Sequence, residues 1–222
     1  MFNLKCINNA TLTLLKSEVH PIINITKSKR FILRQKPPSE SGCYVFWWIN
    51  DTDKLTEALK QADYYLKVSH KKYKCDEDHF TKINFTNDWI NAATQNICIN
   101  GKYQKAICLY AGKSTNIKKR VTGHLRLTVD NLWIDLKIKN QYTTERLRKP
   151  KFGFGKKPNT VSQLRIGLER VFQENCVAKI INNVGISWLS FDEKDNTIVN
   201  RFYIEDKLIS DLVPIFNIDA ER

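Results

Sequence analysis

The sequence predicts a mixed α/β fold of the α+β type, in which helices flank a small central mixed or antiparallel β-sheet. Residues 43–49 are continuously apolar and rich in aromatic and β-branched side chains, which is typical of a strand buried on both faces. An Asn100-Gly101 pair between two apolar segments predicts a tight β-hairpin. Apolar residues at helical spacing within 116–127 and 201–213 predict amphipathic helices that cover the sheet.

The other elements are predicted in chain order. Short apolar segments at residues 22–25 and 31–33 favour two strands, and the proline- and glycine-containing stretch 36–42 predicts a break before the buried strand. Apolar side chains from Leu55 to Leu66 recur at helical spacing and predict a further amphipathic helix. The predicted sheet uses strands at 43–49, 106–112 and 186–191, and the predicted covering helices are 116–127, 161–175 and 201–213.

Composition limits the class of protein and its partners. The chain has 222 residues, of which 42% are hydrophobic, so it can bury a core and is not typical of a disordered protein. No apolar run approaches ~18 residues and the first residues do not resemble a signal peptide, so we expect a cytoplasmic protein with no membrane span. Six cysteines without a CxxC pair predict free thiols. The net charge of +13 favours a polyanion as partner, most commonly nucleic acid.

Glu205 is the most informative single residue of the C-terminal helix. It shares a helical stripe with Phe202, Ile209 and Leu212, so its carboxylate is expected to point towards the apolar side. A carboxylate in that position needs a metal ion, an arginine or a lysine as partner. The alternative is a glutamate at the helix border that reaches water.

Four other residues are candidates for chemistry. Arg120 and His124 lie four residues apart on one helical face, where a guanidinium can bind phosphate and an imidazole can transfer a proton. The alternative for both is a solvated basic face. Tyr44 and Tyr110 lie in predicted buried strands, and a buried phenol needs a hydrogen-bond partner. The alternative for them is a pair of satisfied core tyrosines.

These residues, taken in order, resemble the signature of the GIY-YIG nuclease superfamily. The matching residues are Gly42-Cys43-Tyr44, Tyr110-Ala111-Gly112, Lys113, Ser114, Arg120, His124, Glu205 and Asn217. Cys43 and Ala111 replace the middle isoleucines of the two motifs. Tyr44 and Tyr110 lie 66 positions apart (110 − 44), whereas a short hairpin commonly joins these strands in the family.

The resemblance implies a single GIY-YIG-type nuclease domain over residues 1–222, and it covers only the core of that domain. The core consists of residues 42–50, 106–127 and 186–217. We interpret residues 1–41 as an N-terminal arm, and residues 51–105 and 128–185 as two long insertions.

The resemblance also implies an activity, which is hydrolysis of DNA phosphodiester bonds with one divalent cation, usually Mg²⁺, or Mn²⁺. Glu205 would bind the metal ion. Tyr44 would accept the proton of the attacking water and Tyr110 would support it. A free phenol is a poor base at neutral pH, so nearby cations are expected to favour the phenolate.

The remaining matched residues carry supporting roles in the same comparison. Arg120 would hold the scissile phosphate, and His124 would assist at the phosphate or in proton transfer. Asn217 would orient the site. Lys113 would help to activate the water or would hold phosphate.

A basic segment over residues 137–157 is the predicted DNA-binding element. It contains eight Lys or Arg and one acid, with three aromatic residues interleaved. Given a nuclease core, such a one-sided charge run favours contact with the DNA backbone over the alternative of a solvated loop. The predicted DNA-binding residues are Lys137, Lys139, Arg146, Arg148, Lys149, Lys151, Lys156, Lys157 and Arg165.

The arrangement resembles stand-alone type II restriction endonucleases of the same fold, because the extra residues are insertions and not an appended domain. Cutting both strands of double-stranded DNA then favours a homodimer. Two alternatives stay open: a repair or mobile-element nuclease with structure-dependent specificity, and a catalytically silent relative that only binds DNA. A zinc site at His70, Cys75 and His79 is not favoured, because their spacing matches no standard site.

Overall fold

The computed structural model describes residues 4–25, 31–62, 64–68, 79–124, 162–172 and 179–217. Within these ranges the strands are β1 (His20–Ile25), β2 (Phe31–Leu33), β3 (Gly42–Trp48), β4 (Tyr64–Val68), β5 (His79–Ile83), β6 (Thr94–Ile99), β7 (Lys102–Ser114) and β8 (Val184–Ser190). The helices are α1 (Leu4–Lys16), α2 (Thr52–Gln61), α3 (Asn87–Ala92), α4 (Ile117–His124), α5 (Gln163–Phe172) and α6 (Ile198–Leu212).

Six strands form the central sheet in the order β2-β1-β8-β3-β7-β6, and every neighbouring pair is antiparallel. β4 and β5 pair separately as a two-stranded antiparallel sheet. β3 lies between β7 and β8, so all seven of its residues are buried and its sequence is apolar without alternation. The predicted α+β class with a central sheet is confirmed, and its strands are antiparallel.

The two faces of the sheet are covered by different helices. Tyr44 and Trp48 of β3 face a core cluster to which α2, α4 and α5 contribute. Cys43 and Trp47 face a second cluster formed with α1 and α6. Successive side chains of a strand point to opposite faces, so β3 supplies both cores.

The β6–β7 hairpin turns at the predicted pair. Asn100 and Gly101 have φ angles of 53° and 72°, which are the left-handed values that a two-residue hairpin turn requires. Ile99 pairs with Lys102 directly across this turn. The hairpin prediction is therefore confirmed, and it fixes the register of β7.

Most predicted elements are present with shifted bounds. The three covering helices begin at Ile117, Gln163 and Ile198, and the last of them starts early because the Thr197 side chain accepts the Asn200 N–H as a helix cap. The helix predicted to reach Leu66 instead ends at Gln61, and Leu66 lies in β4.

The N-terminal region is built into the core. α1 was not predicted, although Ile7, Ala10 and Leu14 are buried on one of its faces and pack beside α6. β1 pairs with β8, which adds this region to the central sheet. The residues interpreted as an N-terminal arm therefore contribute a helix and two strands to the fold.

Two further sequence predictions concern thiols and membranes. Among the cysteines in the described ranges, Cys43, Cys98 and Cys108 are free thiols as predicted. Among the helices that the structure describes, none combines the length and the apolar character needed to cross a bilayer.

Candidate functional site

Pairing of β3 with β7 brings the two tyrosines together. Tyr44 lies opposite Gly112, and Phe46 lies opposite Tyr110, so the tyrosines occupy diagonal positions on one face of the sheet. Their ring centroids are 6.4 Å apart. The whole segment 51–105 separates these two tyrosines in sequence, and the strand pairing makes them direct neighbours in the fold.

Arg120 of α4 joins the two phenols. Its guanidinium lies within hydrogen-bonding reach of the hydroxyls of both Tyr44 and Tyr110, and both phenols act on its pKa. A guanidinium has only donors, so in a hydrogen bond with it each phenol oxygen is the acceptor. Burial lowers the pKa of Arg120, but its interactions with the two phenols outweigh burial and hold that pKa above its usual range.

Tyr44 is completely buried. Burial, together with the neighbouring Tyr110, raises the pKa of Tyr44 well above 10, against the lowering effect of Arg120. The phenol is therefore neutral at neutral pH. The cost of desolvation thus exceeds the lowering effect of the Arg120 guanidinium. The expectation that several cations, the metal ion among them, favour a phenolate stays a prediction.

His124 completes this face of the site. Its Nε2 lies 2.8 Å from the Tyr44 hydroxyl, and its Nδ1 lies 2.6 Å from the Ser162 hydroxyl. The imidazole is buried and packs against the ring of Tyr110, with 5.2 Å between ring centroids. The interpretation of His124 as part of a solvated basic face is therefore wrong.

Ser162 was not among the predicted site residues. It lies directly before α5 and is buried against His124. A serine before an amphipathic helix predicts a helix cap, and that pattern carries no information about a histidine on another helix. No other signal in the sequence points to this contact.

Glu205 reaches the end of β7 from the opposite face of the sheet. Its Oε1 accepts the backbone N–H of Lys113 at 3.1 Å, and its Oε2 forms an ion pair with the Lys113 ammonium. The same ammonium lies 3.9 Å from the centroid of the Phe202 ring, within cation–π range. Of the three cations that the sequence allowed, lysine is the partner here.

The charge of Glu205 affects the pKa of Tyr44 on the other face of the sheet. Its carboxylate contributes to raising the pKa of Tyr44, so the two groups lie within electrostatic reach of each other. The Glu205 side chain is 17% exposed and that of Lys113 is 25% exposed. Lys113 pairs with Cys43, the residue before Tyr44, so the Glu205–Lys113 pair lies beside the tyrosine cluster along the sheet and on its other face.

The residues of the site can be compared with the ligands that a divalent metal ion requires. Glu205 supplies one hard carboxylate, which is the ligand type that Mg²⁺ and Mn²⁺ prefer. Mg²⁺ commonly uses one or two carboxylates and completes its octahedron with water and phosphate oxygens. No group of three His, Cys, Asp or Glu side chains converges anywhere in the described ranges. Glu205 thus fits a metal ion that shares its shell with water and substrate, provided that the Lys113 ammonium moves aside.

Asn217 holds the backbone of Ala111 in β7 through two hydrogen bonds. Its Oδ1 accepts the N–H of Ala111 and its Nδ2 donates to the carbonyl of Ala111, both at 2.8 Å. The preceding N–H groups of Ile215 and Phe216 donate to the carbonyls of Cys108 and Leu109. This segment therefore holds β7 in place next to Tyr110.

Replacing Asn217 with alanine is expected to lower the free energy of unfolding by about 1–3 kcal/mol, because the buried N–H and C=O of Ala111 lose their partners. Equilibrium unfolding in urea measures this change. Asn91→Ala, on the exposed side of α3, is the matched control, and we expect it to stay within about 0.5 kcal/mol of the parent. Equal effects of the two substitutions would contradict the role of Asn217.

The predicted DNA-binding residues are not all covered by the structure. Residues 137–157, which contain the eight cations of the basic segment, lie outside the described residues. The backbone of Arg165 belongs to α5. The DNA-binding assignment of this segment therefore stays a prediction.

No protein-family model matches this chain, and neither a curated protein nor a solved structure matches it. The case for a function therefore depends on the residues and on their geometry.

Proposed function

We propose that this protein is a divalent-metal-dependent endonuclease that hydrolyses phosphodiester bonds of double-stranded DNA, and specifically a type II restriction endonuclease. The observation that carries this proposal is the contact of the Arg120 guanidinium with both Tyr44 and Tyr110, next to His124. This cluster places a phosphate-binding cation beside groups that can pass a proton. A satisfied hydrophobic core has no need of a guanidinium between two phenols.

The burial of the tyrosines refines their roles. Tyr110 keeps 8% of its surface exposed, whereas Tyr44 has none. We therefore infer that Tyr110 contacts the attacking water. Tyr44 then transfers a proton to His124 Nε2. In this relay Tyr110 would give its own proton to Tyr44 as it takes one from the attacking water, and Tyr44 would give its own proton to His124 Nε2. Both phenols stay neutral, and the imidazole ends protonated.

Arg120 would hold the scissile phosphate and stabilise the negative charge that develops on it. Glu205 would hold a Mg²⁺ or Mn²⁺ ion, which would supply Lewis-acid stabilisation of the same charge. Lys113, whose ammonium pairs with the same carboxylate, would contact a phosphate oxygen. The cations of residues 137–157 would bind the DNA backbone, and a homodimer would allow both strands to be cut.

The first experiment is incubation of the purified protein with unmethylated, phage-sized duplex DNA, with Mg²⁺ and with EDTA. Discrete Mg²⁺-dependent fragments are the expected result. A smear would support a nuclease but contradict the restriction assignment. A preference for branched over unbranched DNA would support the repair or mobile-element alternative.

Glu205→Gln is expected to slow cleavage about 100-fold, because it removes the charge that would bind the metal ion. Asp211→Asn is the matched control, since Asp211 is a carboxylate of the same helix that pairs with Lys207. It should leave the cleavage rate unchanged. Measuring both variants in single-turnover assays tests the assignment, and equal loss in both would contradict it.

One observation favours a second candidate, which is a silent DNA-binding protein. The Glu205 carboxylate is already satisfied by the Lys113 ammonium and N–H, so the fold does not need a metal ion there. Unchanged DNA binding without cleavage of several DNA sources, with either metal, would support this candidate over the nuclease.

A further inference from the structure

We propose that Ser162 is a positioning residue that holds His124 in the tautomer and orientation needed for proton transfer from Tyr44. The role in the reaction rests on the proposed function, whereas the geometry of the contact does not. Ser162 and His124 are both buried, and Oγ lies 2.6 Å from Nδ1. Ser162 belongs to the segment 128–185, which we interpret as an insertion. That segment would therefore contribute a residue to the site.

The direction of the hydrogen bonds follows from Arg120. The guanidinium has donors only, so it cannot accept the hydrogen of the Tyr44 hydroxyl. That hydroxyl is buried and its hydrogen needs an acceptor, so we take His124 Nε2, at 2.8 Å, as the acceptor. A neutral imidazole that accepts at Nε2 carries its hydrogen on Nδ1. That hydrogen is donated to the Ser162 hydroxyl.

This arrangement serves both protonation states of the imidazole. When His124 takes the Tyr44 proton on Nε2, its Nδ1–H still donates to Ser162, so no ring rotation is needed. A serine hydroxyl is neutral, and it orients the ring without adding a negative charge beside it. The alternative is that Ser162 serves only as the cap of α5, since serine is favoured at that position.

Two variants separate the two roles. Ser162→Gly removes the hydroxyl while glycine remains acceptable at a helix cap, at a cost of only a few tenths of a kcal/mol in typical helices. Ser162→Thr keeps a hydroxyl at the same position. We expect Ser162→Gly to slow single-turnover DNA cleavage about tenfold, as losses of histidine-orienting partners do in other sites, and Ser162→Thr to restore most of the rate.

The tautomer is read directly by two-bond ¹H–¹⁵N correlation spectra of the imidazole groups, with His124→Gln used to assign the signal. The expected result is an Nδ1–H tautomer for His124 in the parent protein and a mixture of tautomers in Ser162→Gly. An Nε2–H tautomer in the parent would overturn the proposal. So would a Ser162→Gly variant with unchanged tautomer and unchanged rate.

The spectra do not depend on cleavage, which separates this proposal from the proposed function. If the parent protein cuts no DNA but the His124 signal changes in Ser162→Gly, Ser162 still positions His124 and the nuclease assignment is what fails. If the parent cuts DNA and Ser162→Gly changes neither signal nor rate, the nuclease assignment stands and Ser162 is a helix cap only.

Discussion

Replacing Arg120 with alanine is expected to slow Mg²⁺-dependent DNA cleavage about 10³-fold, which is the size of effect seen when a preorganised charge donor is removed from a transition state. The guanidinium is the cation that contacts both candidate phenols, and it is held in place by them. Its removal would therefore weaken phosphate binding and also release the Tyr44 hydroxyl that directs a hydrogen to His124. Single-turnover cleavage at saturating protein measures the loss.

Arg120→Lys separates charge from geometry. Lysine keeps the positive charge but lacks the planar fork that can donate to two phenols at once, so we expect an intermediate loss of cleavage rate. Lys119→Ala, on the exposed side of the same helix, is the control for a general loss of basic charge and should cut nearly as well as the parent. A fully active Arg120→Ala variant would rule out phosphate binding by this residue.

Much of the fold could be predicted because the main signals are local. The apolar run of β3 requires burial on both faces, and the Asn100-Gly101 turn requires left-handed backbone angles that few residue pairs adopt. α1 was missed because polar residues surround its apolar stripe, and only packing beside α6 explains why it forms. The bounds of the helix after β3 were wrong because Leu66 fits a helical pattern but lies in β4.

Some residues of the candidate site could be predicted from the sequence, and others could not. The residue types at Tyr44, Tyr110, Arg120 and His124 could be identified from a motif, and the antiparallel pairing of β3 with β7 explains how they meet. The choice of Lys113 as partner of Glu205 could not be predicted, because a carboxylate on an apolar stripe accepts any cation. Ser162 could not be predicted either, because its contact with His124 spans two helices and an intervening segment.

Gly112→Ala is expected to disable the site through packing alone. A Cβ at this position would lie 2.7 Å from the Tyr44 hydroxyl oxygen and 2.9 Å from Tyr110 Cε1, which is closer than real Cβ contacts allow. Because Tyr44 is buried between Arg120 and His124, its ring cannot swing into solvent to relieve the overlap. The phenol or β7 must shift, and a displacement of this kind costs about 10²-fold in rate.

The same substitution is expected to lower the free energy of unfolding by about 1–3 kcal/mol, the usual range for overpacking a core. Gly123→Ala is the matched control, because a Cβ there meets no atom of the described residues within 4 Å and alanine favours the helix over glycine. It should raise the stability of the protein by about 0.5–1 kcal/mol and leave cleavage intact. Urea unfolding and cleavage assays on both variants decide the matter: an active Gly112→Ala enzyme would mean that the Tyr44 hydroxyl need not hold its observed position for the reaction.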